Sequence, residues 1–424
     1  MKFFLFLIGE FLCFCICIGQ HTEDINDFLK HSFYPQIQLL QMVPEHTKLE
    51  EAVIRTLIPA IKDEQKMLKL NYSHPDSIKK MIIEGRVDFY YQFSTFPKWQ
   101  LSIPIQWTNF DLKKFPYQEN NSWQFYFLNL DWLDLWYKGQ ESDLDINFRV
   151  TGYIISDYVH NVLGRGVKYE WNDHGIARRL ERVTEFLRRY IRSTDSLDID
   201  VLRNSLAIVS SHYLALASDT YYPDKPHNHG FMMDLALLDA INFYNLRFEE
   251  YAFDRALDRM RWQLQNSITR KGVHLEHSPG YQIFYISLIN KVIEKLIEKK
   301  LKIPDFLIHS QDKLFLASIY FLQGNGTLVQ FGDTGNAYVL GGLKNLLDKY
   351  TSFGVSSADF SSMMYFLTKG NKGDPPKERV KIFENAGYAT FINEWKPKFK
   401  DNVFGHFSCN FHSWTHYHRA EGTF

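Results

Sequence analysis

The sequence has very little cysteine outside its first residues. Three of the four cysteines, Cys13, Cys15 and Cys17, lie close to the N-terminus, which leaves Cys409 alone in the rest of the chain. If the N-terminal segment is removed on export, no internal disulfide can form. The fold must then be held together by its core.

An excess of charge of one sign is also absent. The 48 basic residues balance 49 acidic ones, so the formal net charge is -1. Such a chain has no overall field that would attract nucleic acid or an anionic membrane. We therefore expect neither as a partner, and any polyanion must be recognised by a local site.

Long apolar runs are missing except at the N-terminus. Lys2 precedes an apolar run from Phe3 to Ile18 that ends near Gly19. A basic start followed by a run of this length is typical of a secretory signal peptide and is short for a membrane span. We expect residues 1–19 to be a signal peptide, the protein to be secreted or periplasmic, and no membrane span to remain after cleavage.

The rest of the chain is rich in apolar residues with helical spacing. With 45% hydrophobic residues among 424, it can bury more than one core. From about residue 22 to about residue 345, apolar side chains recur three and four positions apart, which predicts amphipathic helices. The clearest stripes are Val183, Phe186, Leu187, Tyr190 and Ile191; Phe231, Leu235, Leu238 and Ile241; and Phe284, Leu288, Val292 and Leu296.

The composition changes near residue 370. A turn-rich linker occupies residues 369–376, and the segments 387–392 and 403–412 then alternate large apolar with smaller or polar residues, as strands do. Two strands do not make an independently stable domain. We therefore expect a multidomain, α-then-β chain that stops within its second domain.

The first polar cluster is His227-Asn228-His229-Gly230, which opens a predicted helix. An amide and two imidazoles at a helix start can present donors to an anion, and the helix dipole adds partial positive charge there. The simpler alternative is that Asn228 only caps the helix.

The second cluster is Glu276-His277-Ser278-Pro279-Gly280-Tyr281. Ser278 as N-cap and Pro279 as first helical residue predict a helix start. Tyr281 then falls in the first turn, where the helix dipole stabilises a phenolate and so favours proton exchange. The alternative is that this tyrosine only packs in the core.

The third cluster, Phe411 to His418, ends a strand-like run. Residues two apart in a strand face the same way, so His416 and His418 are expected to project together. Two adjacent imidazoles suit a metal, a proton relay or an anionic substrate.

Three weaker signals complete the set. Gly332-Asp333-Thr334-Gly335 is interpreted as a turn that positions a cleft. Trp171-Asn172-Asp173-His174 begins a helix, with Asp173 as candidate cap and His174 able to reach a groove. On that helix Arg178, Arg182, Arg189 and Arg192 share a face, which suits either a polyanion or pairing with carboxylates.

The order and separation of these clusters resemble the heparinase II/III and alginate lyase superfamily. The match runs from the Trp171 region to Phe424. It implies an incomplete α/α toroid over residues 20–370, followed by an antiparallel β-sandwich that begins at residue 371 and is truncated in this chain. It also implies an active site in the cleft between them and an anionic polysaccharide as substrate.

The resemblance implies a role for each matched residue. Asn228 would neutralise a uronate carboxylate, Tyr281 would be the acid and can also be the base, and His416 would complete the proton transfer. His229 is the second candidate base, for substrates whose C5 proton lies on the other face. Substrate binding is assigned to His174, Arg178, His227, Glu276 and His277.

The C-terminal motif departs from the family pattern. Family members continue His-x-His-Asn-Asp, whereas Arg419 and Ala420 follow His418 in this chain. The missing Asp is a partner that would orient the histidines. The chemistry requires no cofactor, but some members bind a structural zinc through the second histidine, which makes His418 a candidate ligand.

The sequence leaves four functions open. The leading hypothesis is a lyase that cleaves a uronic-acid-containing glycan by β-elimination. A uronyl C5-epimerase would use the same residues but return the proton. A glycoside hydrolase would need two carboxylates across a cleft, for which Asp173, Glu276 and Asp333 are candidates. The altered residues after His418 also suit a non-catalytic glycan-binding relative.

Overall fold

The computed structural model describes most of the chain after residue 120. The described residues are 54, 58, 67–69, 75–91, 99–108, 121–137, 144–244, 249–332, 334, 339–396 and 402–409. The predicted signal peptide and the His416/His418 motif lie outside them. Among the described residues, no helix has both the length and the hydropathy that crossing a bilayer requires.

The chain forms two compact units. Of the described residues, one unit comprises those within Met1–Tyr221 and Asp239–Asp254, and the other comprises those within Tyr222–Leu238 and Arg255–Phe424. The C-terminal strands belong to the same unit as the helices that directly precede them. The helices Asn228–Tyr244 and Glu249–Ser267 contribute residues to both units.

The first unit is mainly helical. In chain order its elements are β1 Met67–Lys69, α1 Pro75–Ile83, β2 Tyr90–Tyr91, β3 Trp99–Gln100, α2 Asn121–Leu128, α3 Asp134–Tyr137, α4 Leu144–Asn161, α5 Asp173–Ser193, β4 Ser196–Asp198 and α6 Ile199–Ala217. Strand β1 pairs with β4 in parallel, and β2 pairs with β3 antiparallel. Helix α5 packs on α6, and α6 packs on α4.

Helix α5 shows why these segments are helical. The five residues of its predicted stripe are all buried, whereas the opposite face carries arginines and glutamates. Its N-cap is Asn172, whose side chain accepts a hydrogen bond from the Gly175 backbone N at 3.2 Å. Asp173, the cap expected from the sequence, is instead the first helical residue, so that prediction is wrong.

The second unit combines helices with a small sheet. Its elements include the first part of α7 Asn228–Tyr244, most of α8 Glu249–Ser267, α9 Pro279–Glu298, α10 Asp305–Ser318, α11 Leu340–Ser352, α12 Ser361–Leu367, β5 Val380–Phe383, β6 Tyr388–Ile392 and β7 Phe404–Ser408. Helix α9 packs against α10 and α11. Of its predicted stripe, Leu288, Val292 and Leu296 are buried, but Phe284 is 37% exposed.

The three C-terminal strands form one antiparallel sheet in the order β5-β6-β7. Val380 pairs with Phe391, and Phe391 in turn pairs with Gly405. The two strands expected after residue 387 are confirmed, and β5 is an additional strand. Its alternation was hard to recognise because Val380 and Ile382 are apolar yet more than half exposed.

Candidate active site

The start of helix α7 lies in the second unit and carries the first polar cluster. His227 precedes the helix, and its Nδ1 accepts a hydrogen bond from the His229 backbone N at 3.2 Å. The two rings meet edge to face with 4.7 Å between centroids. The His227 side chain thus accepts from the first turn of the helix, and Asn228 is the first helical residue.

Gln263 of α8 forms a hydrogen bond to the backbone at this helix start. Its side chain is fully buried, and its Oε1 accepts from the His227 backbone N at 2.8 Å. Gly230 is required at this contact, since a Cβ there would lie 2.1 Å from Gln263 Nε2. The glycine of the motif therefore serves close packing between α7 and α8.

A buried polar network continues behind Gln263. Its Nε2 donates to the Tyr222 hydroxyl at 3.2 Å, and that hydroxyl donates to Asp234 Oδ2 at 2.8 Å. Arg259 forms an ion pair with Asp234 at 2.9 Å and lies 4.3 Å above the Tyr222 ring. Burial raises the pKa of Asp234 to about 7, against the lowering effect of Arg259. The network ties the helix start to buried groups that hold one another in place.

Asn228 and Glu276 join the first two clusters directly. The Asn228 backbone N donates to Glu276 Oε1 at 2.8 Å, and its side-chain Nδ2 donates to Oε2 at 3.1 Å. Asn228 is 5% exposed and Glu276 is 3% exposed. Both carboxylate oxygens are therefore engaged by one residue 48 positions earlier in the chain, and the N-terminal partial charge of α7 favours an anion at this position.

The loop before α9 is held by a short hairpin. Ile268 and His274 form a β-bridge, and the Glu276 backbone N donates to His274 Nδ1 at 3.3 Å. Burial, with a smaller contribution from His277, lowers the pKa of His274 to about 3, so its ring is neutral and can accept this bond. His277 itself is 1% exposed and has a φ of 53°, a left-handed conformation that is uncommon for a non-glycine residue.

Helix α9 begins as the sequence predicts, with Ser278 at the N-cap position and Pro279 as first helical residue. The Ser278 side chain makes no capping bond. Thr334 Oγ1 supplies it instead, accepting from the Gly280 backbone N at 3.1 Å and lying 2.9 Å from Ser278 Oγ. Tyr281 is thus confirmed in the first turn, where it is half-buried.

The sheet approaches this loop from strand β6. The His277 and Tyr388 rings lie 6.1 Å apart, and Tyr388 stacks on Phe331 at 5.3 Å. On β7, His406 lies 3.1 Å from the Thr390 hydroxyl, and burial lowers the pKa of His406 to about 4. The second unit therefore brings together the clusters around Asn228, Tyr281 and Thr334.

Two predicted substrate-binding residues belong to the first unit. The His174 ring is half-buried and lies 5.5 Å from that of Phe125. Arg178 forms ion pairs with Asp131 at 2.8 Å and Glu181 at 2.9 Å. Arg182 and Arg189 are likewise paired with carboxylates, so for these three arginines the paired alternative is confirmed.

The remaining predicted residues cannot be placed. His416, His418 and Asp333 lie outside the described residues. The proposed proton-transfer and zinc roles of the two histidines therefore stay predictions.

Sequence reasoning missed several residues that shape the site. Gln263 and Thr334 each bind a backbone group that is distant in sequence, and such hydrogen bonds leave no periodic signal. The sequence placed Thr334 only in a turn and did not predict its capping bond. His406 sits in a strand whose alternation was recognised, but its burial was not predicted. The one sequence signal that could have identified Gln263 is a glutamine on the side of an amphipathic helix that is expected to be buried.

Comparison with solved structures identifies the fold. The heparan sulfate lyase HepC from Pedobacter heparinus matches with a TM-score of 0.60 and 16% identity, over 94% of this chain and 63% of that one. A structure of heparinase III matches with a TM-score of 0.61 and 15% identity, over 90% of this chain and 60% of that one. The chain has the heparinase III-like polysaccharide lyase fold.

A second heparinase III structure gives the same result, with a TM-score of 0.60, 15% identity, and coverage of 93% of this chain and 62% of that one. No protein-family model matches the sequence. No curated protein matches it either. The chain spans less than two thirds of the length of these heparinase III-like structures, and at such low identity the likeness concerns the fold.

Proposed function

We propose that the protein is a polysaccharide lyase that cleaves a uronic-acid-containing glycan by β-elimination. The observation that carries the proposal is the pair of hydrogen bonds between Asn228 and Glu276. They attach a buried amide at one helix start to the loop that leads into the Tyr281 turn. The heparinase III-like fold supports the same function.

The reaction requires three contributions from the protein. The C5 proton of a uronate is weakly acidic, so the charge that develops on the carboxylate must be stabilised. A base removes the C5 proton. The electron pair of the broken C5–H bond then forms the C4–C5 double bond as the C4–O4 bond breaks. An acid then protonates O4 as it departs.

We assign these three contributions to residues of the three polar clusters. Asn228 uses one N–H on Glu276, and its amide has a second N–H to offer to the substrate carboxylate. Tyr281 takes the C5 proton as a phenolate, which the dipole of α9 favours in its first turn, and then returns a proton to O4 as O4 leaves. His416 completes the proton transfer, and His229 serves as base for substrates of the other C5 configuration.

We further propose an architecture for the complete enzyme. Helices up to residue 370 would belong to an α/α toroid, and the C-terminal strands to one layer of a β-sandwich. One face of the sheet supports the β-sandwich. On it Val380 and Phe391 are 58% and 51% exposed. The Phe391 ring lies over its partner Gly405, where a Cβ would come within 1.9 Å of the ring. An apolar sheet face of this kind is the face that a second sheet covers.

The test is incubation with a panel of uronate polymers, such as heparan sulfate, hyaluronan and alginate, followed by absorbance of the unsaturated product. We expect at least one polymer to be cleaved, and Tyr281→Phe to remove the activity. Tyr251→Phe, at a tyrosine 44% exposed on α8, is the matched control and should be fully active.

Other outcomes would favour the alternatives. Deuterium incorporation at C5 without cleavage would indicate an epimerase, and binding without either reaction would indicate a non-catalytic relative. If Tyr281→Phe cleaves a substrate as fast as wild type, the assignment of the acid is wrong. N-terminal sequencing of the exported protein would test the proposed removal of residues 1–19.

A further inference from the structure

Glu276 is a buried carboxylate next to a site proposed to hold an anionic sugar. The sequence suggested that it binds substrate. Its 3% exposure and the engagement of both oxygens by Asn228 are unsuited to that role. A carboxylate that reached a uronate directly would also repel it.

The geometry gives Glu276 a different task. A side-chain amide can turn about its last bond and exchange its oxygen and nitrogen, so an asparagine presents a donor only if a neighbour selects one orientation. Glu276 Oε2 accepts from Asn228 Nδ2 and selects the orientation with nitrogen toward the carboxylate. Meanwhile Oε1 accepts from the Asn228 backbone N, which fixes the carboxylate itself.

We propose that Glu276 is a positioning residue that locks the side-chain amide of Asn228 in the orientation that presents N–H to the substrate carboxylate. This inference rests on the proposed function of Asn228. It assigns Glu276 a role that acts only through Asn228 and involves no contact with substrate.

Glu276→Gln is the discriminating change because it keeps size and shape. A glutamine has one oxygen and one NH₂, so it can accept from the Asn228 backbone N or from Nδ2, but not from both. If the oxygen stays on the backbone N, the glutamine NH₂ faces Nδ2 and the amide of Asn228 must turn. We expect kcat to fall about 10 to 100-fold, less than the roughly 100 to 1,000-fold cost of deleting an electrostatic donor outright, with KM changed much less.

A double-mutant cycle separates positioning from a structural effect. In an Asn228→Ala background, Glu276→Gln should lower kcat less than about twofold, because there is no amide left to orient. A full, additive loss in that background would overturn the proposal. Glu384→Gln is the matched control, since Glu384 is an exposed partner of Lys271 in the same unit.

A second readout does not depend on activity. In protein with ¹⁵N-labelled asparagine, the Nδ2 protons of Asn228, assigned with Asn228→Ala, should exchange with solvent far more slowly than those of exposed Asn325. Glu276→Gln should remove that protection. Exchange as fast as at Asn325 in the wild type would refute the lock. Failure to cleave any uronate polymer, with slow exchange intact, would instead refute the proposed function.

Discussion

Gly230→Ala tests whether the glycine of the first motif is required by packing. Two effects oppose each other at this position. Alanine in a helix is favoured over glycine by about 1 kcal/mol. Against this, the new Cβ would lie 2.1 Å from Gln263 Nε2 and 3.0 Å from Pro223 Cγ.

The steric effect should win. Gln263 is fully buried and is held by bonds to the His227 backbone N and the Tyr222 hydroxyl, so it cannot turn away without losing both. Losing two hydrogen bonds costs about 2 kcal/mol, and overpacking a core adds about 1 to 3 kcal/mol. After the gain in helix propensity, we expect Gly230→Ala to lower the free energy of unfolding by about 2 to 4 kcal/mol.

Gly342 provides a matched control. It is the third residue of α11, as Gly230 is the third residue of α7, but a Cβ there would meet no atom within 4 Å. Gly342→Ala should therefore raise the midpoint of urea unfolding, followed by circular dichroism, while Gly230→Ala lowers it. Equal shifts in the same direction would refute the packing argument, as would an undiminished cost of Gly230→Ala in a Gln263→Ala background.

Two further predictions concern the second unit. Thr334→Ala should lower the free energy of unfolding by about 1 kcal/mol, because the cap on the Gly280 backbone N is lost. Thr334→Ser keeps the hydroxyl and should match wild type in urea unfolding. Equal effects of the two variants would contradict this capping role. Because burial lowers the pKa of His406 from 6.5 to about 4, the unfolded state binds the proton more readily, and stability should fall as the pH drops from 6.5 toward 4. His406→Gln should narrow the difference between unfolding midpoints at pH 7.5 and pH 5, and an unchanged difference would show that His406 is not the group responsible.

The sequence predicted the elements of this site better than the contacts between them. The start of α9 at Pro279 follows from a local rule, since the fixed φ of proline suits the first helical position. The cap from Thr334 does not, because it depends on a segment more than fifty residues away that tertiary packing brings to the helix start.

For Asn228, too, the sequence predicted the local position but not the long-range contact. Its place at a helix start could be read from the motif, and the structure confirms it. Its hydrogen bonds to Glu276 could not be predicted from the motif, because the two residues come together only in the folded unit. Phe284 shows the opposite error, since helical spacing assigned it to the core although its side chain is 37% exposed.

The most direct test of the proposed β-elimination is the chemical identity of the products formed from a cleaved uronate polymer in H₂¹⁸O. We predict an olefinic H4 signal in the proton NMR spectrum of the new non-reducing end, with no ¹⁸O incorporated at bond cleavage under conditions where anomeric exchange is suppressed. Incorporation of ¹⁸O at the new reducing end, with no olefinic signal, would mean hydrolysis and would contradict the account.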